Sequence, residues 1–548
     1  MIKQEISRGY SYLKKKGIKS TIIKAKRHIK EQAAYKMWPV CNEEKLAKQK
    51  EHVFPYMPLI SIIVPLYNTP LEFLNELIDS VCAQTYGNWE LCLADGTAKR
   101  SNITDRVEEY MSEDSRIKYK ILDKNEGISG NTNQAMMMAE GEYIALADHD
   151  DILSPSALYE VVRAVNKNKF IDSVYTDEDK ADTDGKGYYM PHFKPDYNQD
   201  YFQANNYICH FFVTKRSIAL ETGGFDSNFD GAQDYDFIWK CVEKSKVIHH
   251  IPKVLYHWRC HNDSTAGRPE SKMYAYENGV KALKAHYERC GINADVSMYP
   301  DAFGYYKTEY IQDKTENITV IYIGKKDYSG SKNKHYGEEI YIGEYDVAKI
   351  NEAVINQKNR YVLLLDINYE FTDENAVGTL LSYVKRDNTA AAGGRIYDRK
   401  GKLIFGGFIL GAKGYFGYAF EGTDKRDRGY YLRICVPQET MAVCGNCMMI
   451  DTEYFLKTGG FDKDLSFNMS VADYCMKIRT ATDKVAVYVP DAVCVSSMTM
   501  KENRYSANEI NIFRKRWQNE LKKGDPYYNR NLTLNRTDYS LRKRGHKY

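Results

Sequence analysis

The chain has 548 residues, room for three or four small domains or two large ones at roughly 100–200 residues each. Its 43% hydrophobic and 28% charged residues exclude a disordered, collagen-like or disulfide-scaffold chain. The formal charge of +3 hides two basic ends, +10 over residues 1–50 and +8 over 499–548, around a middle of about −15; such ends suit an anionic partner.

Residues 1–55 read as a basic helical segment, with apolar Ile6, Tyr10, Leu13, Ile22, Ile29 and Ala33 at helical spacing. It has no apolar core of a signal peptide, and no window of the chain reaches about 18 consecutive apolar residues, so a cytoplasmic protein without a membrane-spanning helix is expected. Leu59–Pro65 is a short, nearly continuous apolar run, the mark of a strand buried on both faces. A helix is expected at 71–84, then strands at 89–94 and 117–122, a helix at 130–139 and a strand at 143–147. Alternation of this kind predicts a doubly wound α/β layer.

Part of the plan recurs. Leu220-Glu-Thr-Gly-Gly-Phe-Asp226 returns as Leu456-Lys-Thr-Gly-Gly-Phe-Asp462, each followed by Asp-Tyr, at Asp234 and Asp473. Tyr143–Asp148 is echoed by Tyr361–Asp366. Two matching elements in the same order predict a duplicated domain. The expected divisions are 1–55, 56–305, 306–500 and a basic tail over 501–548 that leaves the globular body. The 12 cysteines are scattered, mostly in apolar stretches such as those of Cys82, Cys92 and Cys209. That usage predicts reduced thiols. Cys444-Gly-Asn-Cys447 has no second ligand pair at zinc spacing and reads as strand packing. Tyrosine outnumbers phenylalanine, 46 to 20, through codon bias or as rings for stacking on sugars.

Ligands of parallel sheets gather at the carboxyl ends of the strands. Those ends here read Pro65-Leu-Tyr67-Asn68, Asp95-Gly96-Thr97, Asn125-Glu-Gly127 and Asp148-His149-Asp150-Asp151. Three aspartates in four residues repel one another unless a cation compensates. Mg²⁺ and similar hard ions take one or two carboxylates plus substrate phosphates. Asp148-x-Asp150 is therefore a candidate metal–diphosphate site.

The ordered set V-P-L-Y-N, A-D-G-T, N-E-G-I-S-x-x-x-N, D-H-D-D, G-G-F-D, Q-D-Y-D and H-W-R-x-H resembles the inverting glycosyltransferases of family 2. The resemblance covers about residues 56–300 in full and about 315–500 as a degraded second copy. It implies the nucleotide-diphospho-sugar-binding fold called GT-A, a Rossmann-like mixed sheet with helices on both faces, present twice in tandem. It also implies a nucleoside-diphosphate sugar donor and a divalent Mn²⁺ or Mg²⁺. By the same resemblance, Pro65, Tyr67, Asn68, Asp95, Asn125, Gly127, Asn133, Asp148 and His149 face the donor. Asp148 and Asp150 hold the metal with His261, or alternatively His257. Asp234 is the catalytic base. Where the family often has two aspartates, this chain has Asp95-Gly96. Lys194 either meets a donor phosphate or faces solvent. Glu178 and Asp179 are weaker candidates for orienting a sugar hydroxyl.

The second copy has lost parts. Asp148-His-Asp-Asp becomes Asp366-Ile-Asn368-Tyr, and the H-W-R-x-H end becomes Cys494-Val-Ser-Ser-Met498. The expected role is structural or acceptor-binding. The resulting reading is a transferase extending a surface polysaccharide, with a lipid-linked glycan acceptor. Its basic ends would rest on an anionic inner membrane face, and other polysaccharide-assembly enzymes are possible partners. A nucleotide-sugar-binding scaffold and a bifunctional transferase are the alternatives. A nucleic-acid-binding protein is a third reading, opposed by the acidic body and by the absence of a nucleic-acid motif.

Overall fold

The computed structural model describes residues 18–19, 21–29, 31–35, 42–97, 99–261, 273–311, 316–325, 337–499 and 505–542. Ile6, Tyr10 and Leu13 of the expected N-terminal helix lie outside the described residues. The chain divides into two compact units. The first comprises Gln32–Tyr197 and Asn205–Thr308; the second comprises Met1–Glu31, Asn198–Ala204 and Glu309–Tyr548.

The first unit is built on a nine-stranded sheet. Its strands are β1 (Ile60–Leu66), β2 (Trp89–Asp95), β3 (Ile117–Ile121), β4 (Tyr143–Leu146), β5 (Ile152–Leu153), β6 (Ser173–Ala181), β7 (Tyr188–His192), β8 (Phe212–Lys215) and β9 (Ile248–Arg259). The order is β3-β2-β1-β4-β8-β6-β9-β5, with β7 on β6. The first four strands run parallel. β8 is antiparallel to both β4 and β6, and β9 returns parallel to β6. Every residue of β1 and β2 is buried, as continuous apolar runs demand when helices cover both faces. The helix Leu71–Cys82 lays Phe73, Leu74, Leu77, Ile78 and Val81 into the core, the 3–4 residue repeat of an amphipathic helix.

The second unit repeats this sheet. Glu338–Ile342, Ile318–Ile323, Tyr361–Asp366, Cys447–Asp451, Thr389–Tyr397, Val485–Ser496 and Tyr369–Phe371 lie side by side in that order. Position by position they match β2-β1-β4-β8-β6-β9-β5, with the same parallel or antiparallel sense at each junction. Among the described residues, only the edge strand β3 has no counterpart.

One side-chain device is also duplicated. In the first unit Asn133 donates to the Phe225 carbonyl and accepts from the Phe225 N–H, both at 2.8 Å. In the second, Asn351 does the same to Phe461, at 2.7 and 3.1 Å. Both phenylalanines follow a Gly-Gly pair with positive φ, and a Cβ on Gly224 would stand 2.5 Å from Asn133 Oδ1. Only glycine takes that backbone without strain and lets the amide approach.

Two sequence expectations are corrected. The basic C-terminal segment does not leave the globular body: Phe513, Trp517 and Tyr527 join the core of the second unit. Its charge misleads because Arg514 and Arg516 bond within that unit, to the Gly414 carbonyl and to Asp462 and Asp473. The segment Asn198–Ala204, drawn from the sequence between β7 and β8, belongs to the second unit. There buried Asp200 makes a two-pronged bridge to partly buried Arg386 at 2.6 and 3.0 Å, and Asn198 exchanges hydrogen bonds with the Glu439 backbone.

Candidate active site

The carboxyl ends of β1, β2 and β4 form one polar rim. After β1, Tyr67 is half exposed and Asn68 takes a left-handed conformation that aims its N–H at Thr97 Oγ1, 3.1 Å away. Pro65 lies within β1, paired with Ala94. Asp95 closes β2 fully buried, accepting from the Thr97 N–H at 2.8 Å and from the Tyr119 hydroxyl at 2.7 Å. Its carboxylate thus shapes the turn. Asn125 Oδ1 accepts from the Gly127 N–H and from Asn131 Nδ2, each at 3.0 Å. Asn131 lies so close over Gly96 that a Cβ there would be 2.4 Å from its Nδ2. This explains why a glycine stands beside Asp95. Gly127, at φ 77°, would carry a Cβ 3.0 Å from Asp230, whose other oxygen accepts from Ser129 at 2.5 Å. Asn133, expected over the donor, has its carboxamide taken up by Phe225.

The three clustered aspartates are given separate partners. Asp148 is partly exposed, with Oδ2 3.6 Å from His210 Nε2. Asp150 pairs with His261 Nε2 at 2.8 Å. Asp151 is buried, accepting from the Tyr256 hydroxyl at 2.5 Å and from the Arg259 N–H at 2.7 Å. Burial opposes the charge on Asp150, but the His261 hydrogen bond, aided by nearby His149, holds its pKa below the usual range. Burial drives Asp151 well above that range, and Asp150 and Asp148 add to the effect. Arg259 is wholly buried and donates to the Asp150 carbonyl at 2.6 Å and to Glu76. The end of β9 thereby pins the acidic turn that follows β4.

His257, the alternative metal neighbour, pairs instead with buried Asp179 at 2.6 Å and stacks on Tyr188. Asp150 and His261 bring an O and an N donor together, a pair suited to a divalent cation, but Asp148 does not converge with them into one three-ligand group. Asp148, Asp151 and His210 also bring ligand atoms within 4.8 Å of one another.

Asp234 stands in the first turn of the helix Gln233–Lys244, where a negative charge is favoured by the helix dipole. Its Oδ2 accepts from Asn206 Nδ2 at 2.9 Å and from the Cys209 thiol at 3.0 Å. Burial keeps Cys209 protonated by raising its pKa, so it serves as a donor.

Lys194 neither faces solvent nor points at an open phosphate position. It is fully buried, and its ammonium donates to Glu178 Oε2 and the Ile208 carbonyl, both at 3.1 Å, and to the His210 carbonyl. Glu178 also faces His192 and His210 at 3.4 Å. Burial opposes its charge, but Lys194 and the two histidines hold its pKa well below normal. His210 was not legible as a site residue. Burial opposes its charge, yet Cys209, Asp148 and Glu178 raise its pKa well above that of a free imidazole. A histidine just before a buried strand was the signal available.

The second unit treats the equivalent residues differently. Asp366 accepts four bonds: from the Asn368 N–H at 2.8 Å and Asn368 Nδ2 at 3.2 Å on one oxygen, and from Asn446 Nδ2 at 3.1 Å and the Tyr345 hydroxyl on the other. A carboxylate has about four lone-pair sites, so none remains for a metal. Asp473 is fully buried, against Arg516 at 2.7 Å, Trp517 Nε1 at 2.9 Å and Lys477 at 2.8 Å. No acceptor could reach it.

A mixed sheet of this order, with carboxylates clustered beyond its fourth strand, is the GT-A fold of glycosyltransferases, here present with a second, matching sheet. Residues 61–223, within the first unit, match the model of glycosyl transferase family 2. It is 30% identical over 537 residues to the uncharacterized protein y4gI of Sinorhizobium fredii, covering 88% of this chain and 58% of that one. It is 26% identical over 538 residues to the O-antigen biosynthesis protein RfbC of Myxococcus xanthus, covering 89% and 41%. It is 27% identical over 289 residues to a hyaluronan synthase of Pasteurella multocida, covering 52% and 27%. The chain spans about half the length of the first two relatives, or less.

Proposed function

We propose that the first unit transfers a sugar, with inversion, from a nucleoside-diphosphate sugar to a growing, lipid-linked surface polysaccharide. The observation that carries this is the pairing of Asp150 with His261 at 2.8 Å on the same polar rim as Asp148, in a domain of family 2. Pro65, Tyr67, Asn68, Asp95, Asn125 and Gly127 would shape the donor pocket, and His149 would lie beside the diphosphate. Asp148, Asp150 and His261 would hold Mn²⁺ or Mg²⁺, which when bound neutralises charge on the diphosphate leaving group. Asp234 takes the proton of the acceptor hydroxyl as its oxygen bonds to the anomeric carbon. The bond from that carbon to the diphosphate breaks on the opposite face, so the configuration inverts. Asn206 and Cys209, each donating to Asp234 Oδ2, hold the base in orientation.

The full burial of the Asp473 carboxylate beneath Arg516 and Lys477 supports a non-catalytic second unit. Among the described residues no helix is long and apolar enough to cross a membrane. Ile18, Ile22 and Ile29 are exposed in a basic segment at helical spacing, which supports rest on an anionic lipid surface. Each Lys or Arg near such a surface contributes about 1 kcal/mol. A transfer assay on metal-stripped protein tests the reading. It uses a panel of nucleoside-diphosphate sugars, with Mn²⁺ or Mg²⁺ added back and NMR of the product anomer. Transfer that persists in chelator, or a retained anomer, would contradict it.

A further inference from the structure

The carboxyl end of the second sheet holds a cavity of about 350 Å³, at the lower end of the range for small-ligand sites. Five aromatic rings, those of Tyr345, Tyr369, Tyr418, Phe467 and Tyr505, line it. Its polar lining includes Asp366, Glu421, Asn446 and Asn468, and no lysine or arginine lines it among the described residues.

The chemistry excludes one ligand class and favours another. A nucleoside diphosphate brings two or more negative charges. Here it would meet two carboxylates, no cationic lining residue among the described ones and, because Asp366 is saturated by four protein donors, no free lone pair on that aspartate for a metal bridge. A neutral saccharide meets no such penalty. Its C–H faces lie against aromatic rings, and its hydroxyls donate to carboxylate and amide oxygens. Asn468 supplies an independent pointer, since its Oδ1 is buried without a hydrogen-bond partner. A buried acceptor left unmade costs about 1–3 kcal/mol, which a sugar hydroxyl would relieve. Among the described residues the Glu421 carboxylate has a long contact, 3.4 Å, to Lys413.

We infer that this cavity binds a neutral saccharide, roughly one or two sugar rings of a glycan chain, with Glu421 and Asn468 as its hydrogen-bonding contacts. The proposal takes from the reading of the first unit only the source of the glycan, the polysaccharide being extended.

The test uses the full chain and no donor. Saturation-transfer NMR and calorimetry are run with neutral trisaccharides: maltotriose, cellotriose, mannotriose, galactotriose and chitotriose. At least one is expected to bind, and Glu421→Gln and Asn468→Ala are each expected to weaken it at least fivefold. UDP with Mn²⁺ should not displace it. Thr499→Trp, which fills the cavity from another wall, should abolish binding. Thermal melts check that each variant folds, and any that does not is replaced by Glu421→Ala or Asn468→Ser. No binding by any trisaccharide, binding indifferent to all the folded variants, or displacement by UDP would overturn the proposal. A failed transfer assay leaves it standing, because no readout here needs catalysis.

Discussion

Asp234 and Asp473 follow the same Gly-Gly-Phe-Asp motif, yet their surroundings differ. Asp234 faces two neutral donors, whereas Asp473 is sealed by Arg516, Lys477 and Trp517. Asp234→Asn should therefore lower turnover by about 10²–10⁴, the usual worth of a general base, with little change in melting temperature. Asp473→Asn should leave turnover of folded protein intact and cost about 1–3 kcal/mol of stability, because the donors that meet the buried carboxylate, Trp517 Nε1 among them, lose a charged acceptor. Urea unfolding beside initial rates separates the two outcomes. The aspartates of the rim were legible because parallel strands dictate where ligands gather. Their partners were not, since Tyr256 and Arg259 reach Asp151 from more than 100 residues away. Asn133 was legible as a motif residue, but its clamp on Phe225 was not. A family motif marks a residue as needed, but does not say whether the need lies in the ligand or the fold. The same clamp at Asn351, in a unit whose Asp366 and Asp473 are fully taken up, argues for the fold.

At the scale of elements, that clamp ties a helix to the Gly-Gly turn in both units. Asn351→Ala leaves the buried Phe461 backbone without partners and should cost about 1–3 kcal/mol. Calorimetry should show the loss in the second unit. Another contribution to stability depends on pH. Burial, with Asp200 beside it, pushes Glu439 up to about 7 from an ordinary 4.5. Between those values the folded state keeps a proton that the unfolded chain has released, so stability falls as pH rises from about 4.5 through about 7. Glu439→Gln should flatten that decline in melting temperature between pH 5 and 8; an unchanged slope would count against the assignment. The strands and helices of the first unit were legible because their burial is continuous or periodic. The segment Asn198–Ala204 was not, since its partner Arg386 lies 186 residues on from Asp200.

For the whole molecule, the +3 charge conceals different local roles. Arg514 and Arg516 at the C-terminal end are bonded within the second unit, and Arg536 pairs with Asp538, so the N-terminal segment is the better candidate for lipid contact. Flotation on anionic liposomes should weaken severalfold when Ile18, Ile22 and Ile29 become Ser, and neutral liposomes should not bind. The duplicated sheet was legible as a repeat of motifs; that its strand order is preserved was not, because order depends on pairings across the chain. On the proposed reading, one unit transfers sugar and the other does not. The most direct test follows nucleoside diphosphate release from a donor panel, with Mn²⁺ or Mg²⁺ and acceptor, in wild type, Asp234→Asn and Asp473→Asn. Acceptor-dependent release that Asp234→Asn removes and folded Asp473→Asn retains is the predicted result. Release equal in wild type and Asp234→Asn for every donor, or release lost in folded Asp473→Asn, would contradict it.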